Sequence, residues 1–321
     1  MTRSHLRAVS DPAAGQAAVP PPKVVPLRHS GRWAAAAVVL AVFALVLWSV
    51  VTNPNFQWSV VGAYFGTPAV LHGLVLTLWL TAVTMVLGFL LGTVLAVMRL
   101  SGNPVLVALS WGYVWLFRSI PLLVQLLFWF NIGALYPTLG VGSFSISTVD
   151  LIGGTTTAVI GLVLHEAAFA AEIVRGGILS IDAGQTEAAQ ALGMGRLRIL
   201  RRIVLPQAMR AIIPPAGNAL IGTLKGTSIV SVIAVHDLLY SVQIIYNRNY
   251  LVIPLLLVAC VWYLVVTSLL TICQYYVERY YARGSQRQLP PTPLQRLRTG
   301  WRAVNTRLAN TRPARPGEQS R

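Results

Sequence analysis

Charge is what this sequence has least of. Only 11% of its 321 residues are Asp, Glu, Lys or Arg, while 55% are hydrophobic; a soluble domain carries about 25% charged residues. That balance excludes a soluble globular chain and points to a polytopic membrane protein. Lysine is nearly missing. Lys23 sits in PPPKVV and Lys225 in GTLKGTS, and neither completes the G-x-x-x-x-G-K-[ST] phosphate-binding loop, which excludes ATP hydrolysis by that route. The two cysteines, Cys260 and Cys273, share one apolar run. On one helix they lie about 20 Å apart, beyond disulfide reach, and they say nothing about redox compartment. No His, Asp or Glu cluster has metal or acid–base spacing. His165 and Glu166 are adjacent, so a regular helix cannot turn both toward one metal. Basic residues are not interleaved with aromatics, which argues against nucleic acid as a partner. No internal repeat is visible, so any two-fold symmetry must come from a second chain.

What is present is a series of apolar runs. Six spans are predicted: about Trp33–Val51, Val70–Met98, within Val105–Ile132, Thr155–Val174, Arg210–Val235 and Leu251–Cys273. The fold class is therefore all-α with six transmembrane helices. Residues 1–32 read as a disordered, basic, Pro-rich tail, and the run that follows, in 33–69, as a retained transmembrane helix with an outer loop rather than a cleaved signal. Residues 277–321 form a second basic, disordered tail suited to anionic headgroups. The net charge is +16, and its distribution sets the orientation. Five basic residues precede Trp33, ten follow Glu278, and six more lie between Arg175 and Arg210. The alternate loops hold Arg248 alone. The positive-inside rule then puts both termini and the arginine-rich segment in the cytoplasm. In an outer loop, Asp237 is positioned to cap a short amphipathic helix, DLLYSVQIIYNRNY. Gly88 and Gly92 lie one turn apart, a spacing that either lets helices approach closely or is ordinary for a membrane helix.

The cytoplasmic segment 180–206 contains EAAQALGMGRLRILRRIVLP. Thr186 is placed to cap a helix with Glu187 in its first turn, at the positive end of the dipole. Ala188, Ala189 and Ala191 favour helix and leave a bare surface on which another body can seat. Gly193 breaks the helix. A second helix then packs on the spans through Leu197, Leu200 and Val204, with Arg198, Arg201 and Arg202 mostly opposite, and Pro206 ends it. A plain interfacial loop with arginines on headgroups is the alternative.

The spacing of Glu187-Ala188-Ala189, Gly193 and Ile203-Val204-Leu205-Pro206 resembles the EAA–G–I-x-L-P signature of ATP-binding-cassette importer permeases. HGLVLTLWLTAVTMVLGFLLGTVLAVMRLS, WGYVWLFRSIPLLVQLLF, AAFAAEIVRGGILSIDAGQTEAA and LPQAMRAIIPPAGNALIGTLKGTSIVSVIAV are similar to the polar amino acid subfamily of these permeases. The resemblance implies a five-helix permease core over 70–276, with one extra N-terminal helix. It implies that Glu187, Ala188, Ala189, Gly193, Ile203, Leu205 and Pro206 form the coupling element that docks on a separate ATPase. Glu187 there either pairs with a basic group of that ATPase or caps its own helix. ATP and Mg belong to this partner, and no cofactor to the chain itself. The other implied partners are a second permease chain, the same or homologous, an extracytoplasmic substrate-binding protein and an amino acid substrate. The implied location is the bacterial cytoplasmic (inner) membrane. The chain departs from the commoner family pattern at LKGTS, where Gly226 replaces an aspartate, and at FRSIP.

Ionisable groups at membrane depth usually face a cavity or protein interior. An amino acid offers an ammonium and a carboxylate. Glu166 with Gln125 is the candidate pair for the first, and Lys225, Thr227 or Ser228 for the second. A buried Glu166–Lys225 ion pair is the structural alternative. Arg118 is expected to snorkel to the interface, and Glu172 to pair with Arg175. Two other classes compete with the importer subunit. An ion-gradient-driven secondary transporter would be expected to show inverted repeats, and an integral membrane enzyme to show clustered acid–base groups.

Overall fold

The structure, a computed structural model, describes residues 30–141, 144–148 and 152–281; most of both predicted tails lies outside these. The chain divides into two units, residues 1–56 and 57–321. The first contains helix α1 (Ser30–Thr52), whose alanines, valines and leucines are exposed over a length sufficient to cross a membrane.

The second unit begins with α2 (Trp58–Phe65) and α3 (Pro68–Arg99). Pro68 opens α3, where its missing N–H costs no intrahelical bond. After α4 (Pro104–Ser119) come α5 (Leu122–Phe130) and the single turn α6 (Ile132–Leu135). A two-stranded antiparallel hairpin, β1 (Thr138–Val141) and β2 (Phe144–Ser147), follows in register Thr138 with Ser147. Next are α7 (Gly154–Leu179), α8 (Ala183–Ala191), α9 (Arg196–Ile199) and α10 (Leu205–Gly226). A 3-10 turn over Thr227–Ile233 leads to α11 (Leu238–Asn249), and α12 (Val252–Tyr281) closes the described chain.

Four helices, α1, α3, α7 and α12, are long and apolar enough to span, and two bent pairs raise the number to as many as six. One bent pair falls in the region of the third predicted span. Val105–Ile132 is not a single rod: α4 and α5 meet at a 100° bend. The break falls at Ile120-Pro121, because proline removes an N–H and restricts the residue before it to extended backbone, and Ile120 has ψ 129°.

Helix α7 is the axis of the second unit. Over half of its most apolar window is buried, against 17% for α12. The small side chains of α7 bring α3 close. A Cβ on Gly92 would lie 2.6 Å from Ala170 Cβ, and one on Gly88 2.9 Å from Glu166 Cγ. The glycine pair is therefore a close-approach stripe, not incidental. The core clusters follow the length of α3. Val70 and Leu74 pack with Leu238, Val242, Leu255 and Val258 at one end. Leu80, Leu126, Leu162 and Val230 pack in the middle. Leu95, Val114, Ala167 and Ala171 pack toward the other end.

The ends differ chemically. Where α3 stops, Arg99 donates to Glu172 at 2.6 Å, and Arg175 meets the same carboxylate at 2.8 Å. This bears out the structural reading of Glu172. Where α3 starts, Thr77 Oγ1 accepts from the Leu238 N–H at 3.0 Å. Asp237 caps α11 as expected, accepting from the Tyr240 N–H at 2.8 Å.

Candidate functional site

A cavity of about 410 Å³ lies between α3, α5, α7 and α10. Its polar lining is Thr84, His165, Glu166 and Thr223; Leu122, Phe169, Pro215 and Gly226 are among the other walls. Helix α7 turns Glu166 inward at 8% exposure. One carboxylate oxygen accepts from Thr223 Oγ1 at 2.9 Å, while the other is buried and unpartnered. Thr84, fully buried, also has an unpartnered hydroxyl. A buried polar atom without a partner costs about 1–3 kcal/mol.

Of the five substrate-path residues read from sequence, the structure places Glu166 alone on the cavity wall. Gln125 is buried, but its amide nitrogen donates to the carbonyls of Phe117 and Ile120, both at 2.8 Å. It caps the carbonyls freed at the α4–α5 break and also approaches His165 Nδ1 at 3.3 Å. Lys225 is exposed. It sits two residues from Thr223, about 200° around the helix, so the alternative Glu166–Lys225 pair is not formed. The hydroxyls of Thr227 and Ser228 donate back to the Leu224 and Lys225 carbonyls at the end of α10. Arg118 is exposed, as a snorkelling side chain would be, and its guanidinium lies 5.2 Å from the Phe169 ring centre.

Sequence reasoning missed Thr84 and Thr223. Each falls in a run that reads as plain apolar span, and a lone threonine in such a run usually bonds its own helix. The only local signal was the four-residue step from Gly88 to Thr84, which puts both on one face of α3.

At the charged end, α8 begins four residues earlier than predicted. Asp182, not Thr186, caps it, accepting from the Gly184 N–H at 2.8 Å. Gly193 adopts φ +75°. The N–H groups of Gly193 and Met194 return to the carbonyls of Gln190 and Ala189 at 2.9 and 3.1 Å, a closure that needs the left-handed residue. Glu187, Ala188 and Gly193 are exposed, whereas Ala189 is 3% exposed and packs inward. Ala189 therefore belongs to the seat of α8, not to its bare face.

The second helix of this segment also differs from expectation. Leu197 and Leu200 are 68% and 42% exposed, and the buried anchor is Ile199. Pro206 does not end the helix. A π turn over Leu200–Val204, with the Leu205 N–H on the Leu200 carbonyl, joins α9 to α10 and places Pro206 in the first turn of α10. Ile203 is half-buried, and Leu205 and Pro206 are exposed. The Ile203 carbonyl accepts from Gln207, whose amide also reaches Gln185 at 2.5 Å and ties α8 to α10. The small-residue turn is thus braced directly on a cavity-lining helix.

Comparison with known proteins agrees with this arrangement. Residues 88–283 match the family model described as binding-protein-dependent transport system inner membrane component. An arginine transport system permease protein of Corynebacterium glutamicum is 44% identical over 289 residues, 89% of this chain and 91% of the relative. That coverage necessarily takes in the greater part of α1. A glutamate/aspartate import permease protein of Escherichia coli is 36% identical over 70% of this chain and 98% of its own length. Among solved structures, a crystal structure of an amino acid ABC transporter with histidines shares 33% identity, with a TM-score of 0.58, over 67% of this chain and 94% of that one. The braced EAA turn, the α3–α7 stripe and these likenesses converge: the chain belongs to the binding-protein-dependent transport system inner membrane components, as the membrane-spanning permease subunit of an ATP-binding-cassette importer.

Proposed function

We propose that this permease carries an amino acid with a cationic side chain through the cavity beside α7, and that Glu166 receives a cationic group of that substrate. The observation that carries the reading is Glu166 itself, which lines a cavity with no other acidic lining residue and has one carboxylate oxygen buried and unpartnered. A buried carboxylate without a counter-charge is costly, and a cation relieves that cost. The arginine transport permease of C. glutamicum supports the substrate class.

Work enters through the exposed tip of α8. ATPase subunits, which hold ATP and Mg, grip Glu187, Ala188 and Gly193, while Ile203, Leu205 and Pro206 form the continuous helix that transmits the motion to α10. A second permease chain completes the pore. An extracytoplasmic binding protein delivers substrate at the end occupied by α11. The chain lies in the cytoplasmic (inner) membrane with both termini inside, an orientation supported by the arginines.

The test is Glu166→Gln in the assembled transporter. Uptake of L-arginine should fall at least tenfold, roughly the worth of one buried charged contact, with co-purification of the ATPase unchanged. Uptake at the wild-type rate would remove Glu166 from the path.

A further inference from the structure

The α4–α5 break has two sides, and the protein satisfies only one. Gln125 covers the carbonyls of Phe117 and Ile120. Across the gap, α5 begins with no side-chain cap and no acidic residue in its first turn. Pro121 has no N–H, and the first intrahelical bond runs from the Gln125 N–H to the Pro121 carbonyl at 3.1 Å. The N–H groups of Leu122, Leu123 and Val124 are therefore left without a helical acceptor. They form the positive end of a nine-residue helix. Leu122 is itself part of the cavity wall, together with Glu166 and Thr84, each more than nine-tenths buried and each with one unpartnered oxygen.

An amino acid carries a carboxylate as well as a cation. None of the residues read from sequence supplies its counter-charge, because Lys225 is turned out and the hydroxyls of Thr227 and Ser228 are bonded back to the end of α10. Free N–H groups at a helix start bind carboxylates without any cationic side chain. We propose that the N-terminus of α5 is the carboxylate subsite, with the Leu122 N–H as a donor. The substrate then lies with its carboxylate at the break and its cationic group at Glu166. This rests on the reading of the cavity given above.

The break also provides its own test. Proline is accepted at a first helical position, and Pro121, at φ −57° and ψ 138°, already has the extended backbone that a following proline requires. Leu122→Pro thus deletes one N–H and leaves the bend in place. Leu122→Ala trims the same side chain and keeps the N–H. Equilibrium binding to the purified transporter complex is measured with L-arginine and with agmatine, which lacks only the carboxylate.

The wild type and Leu122→Ala should prefer L-arginine by about tenfold or more, the scale of a charge-assisted hydrogen bond. Leu122→Pro should reduce that preference to about threefold or less while binding agmatine as Leu122→Ala does. A Leu122→Pro complex that keeps the preference, or loses both ligands alike, overturns the subsite. So does equal loss of preference in Leu122→Ala, or a wild type that binds both ligands equally. A wild type that binds neither ligand instead overturns the reading of the cavity, and the subsite with it.

Discussion

Gly226 leaves its stretch of the cavity wall without a side chain. It lines the wall, and a Cβ built there meets nothing within 4 Å. An aspartate, which the resemblance to polar amino acid permeases implies at this place, finds open space for its Cβ. Gly226→Asp is expected to sharpen the preference for L-arginine over L-glutamine by roughly fivefold, since a second carboxylate adds attraction for a cation at short range. Competition binding to the assembled transporter measures this. Equal affinities for both amino acids in wild type and variant would show that the position does not face the substrate. Single-residue chemistry was partly legible in the sequence: Glu166 was visible as a carboxylate too deep for headgroup partners. Its neighbours Thr84 and Thr223 were not, because a hydroxyl in an apolar run becomes informative only once the neighbouring helices are placed: Thr223 donates to Glu166 on α7, whereas Thr84 is left unpartnered.

At the scale of elements, the α3–α7 contact is sensitive to overpacking. Gly92 has Ala170 Cβ, the Ala167 carbonyl and the Ala171 nitrogen within 2.9 Å of where its Cβ would be. Backbone and helix-borne methyl groups cannot rotate away, so Gly92→Val must push the helices apart. The expected cost is about 1–3 kcal/mol, read as a lower melting temperature of the purified complex, while Gly222→Val, where no atom lies within 4 Å, serves as a control with little change. Equal melting temperatures for the two variants would deny the close approach. The glycine spacing was readable from sequence, but two explanations fitted it until the partner helix was known. The α4–α5 bend was not readable as a bend. Hydropathy records composition and not direction, and the run from Val105 to Phe130 is predominantly apolar, with Ser110, Arg118, Ser119 and Gln125 as its polar exceptions. Pro121 and Gln125 encode the break together, one by withholding a donor and the other by covering the carbonyls that are freed.

Across the whole molecule, the two ends of α3 and α7 have different tasks. One end gathers Arg99, Glu172 and Arg175 and leads on into α8, while the other carries α11. The proposed orientation puts the α8 tip in the cytoplasm. In a background with Cys260 and Cys273 replaced by serine, Ala188→Cys should react with a membrane-impermeant maleimide in inverted vesicles and remain unlabelled in intact cells. Bound ATPase should protect it, because Ala188 lies on the exposed face of α8. Labelling in intact cells would reverse the orientation. Labelling unaffected by the ATPase would remove the tip from the coupling interface.

The sequence alone determined that this chain lives in a membrane, how its apolar runs are spaced, which loops are basic, and that it carries the coupling signature of importer permeases. These are properties of composition and local order, and a single strand of sequence holds them in full. Tertiary structure decided which polar groups meet. Periodicity assigns a side chain to a face of its own helix, but which neighbour that face receives depends on packing. The close seating of α3 on α7 and the turn between α4 and α5 therefore brought Thr84, Thr223 and the start of α5 to Glu166, and left Lys225, Thr227 and Ser228 elsewhere.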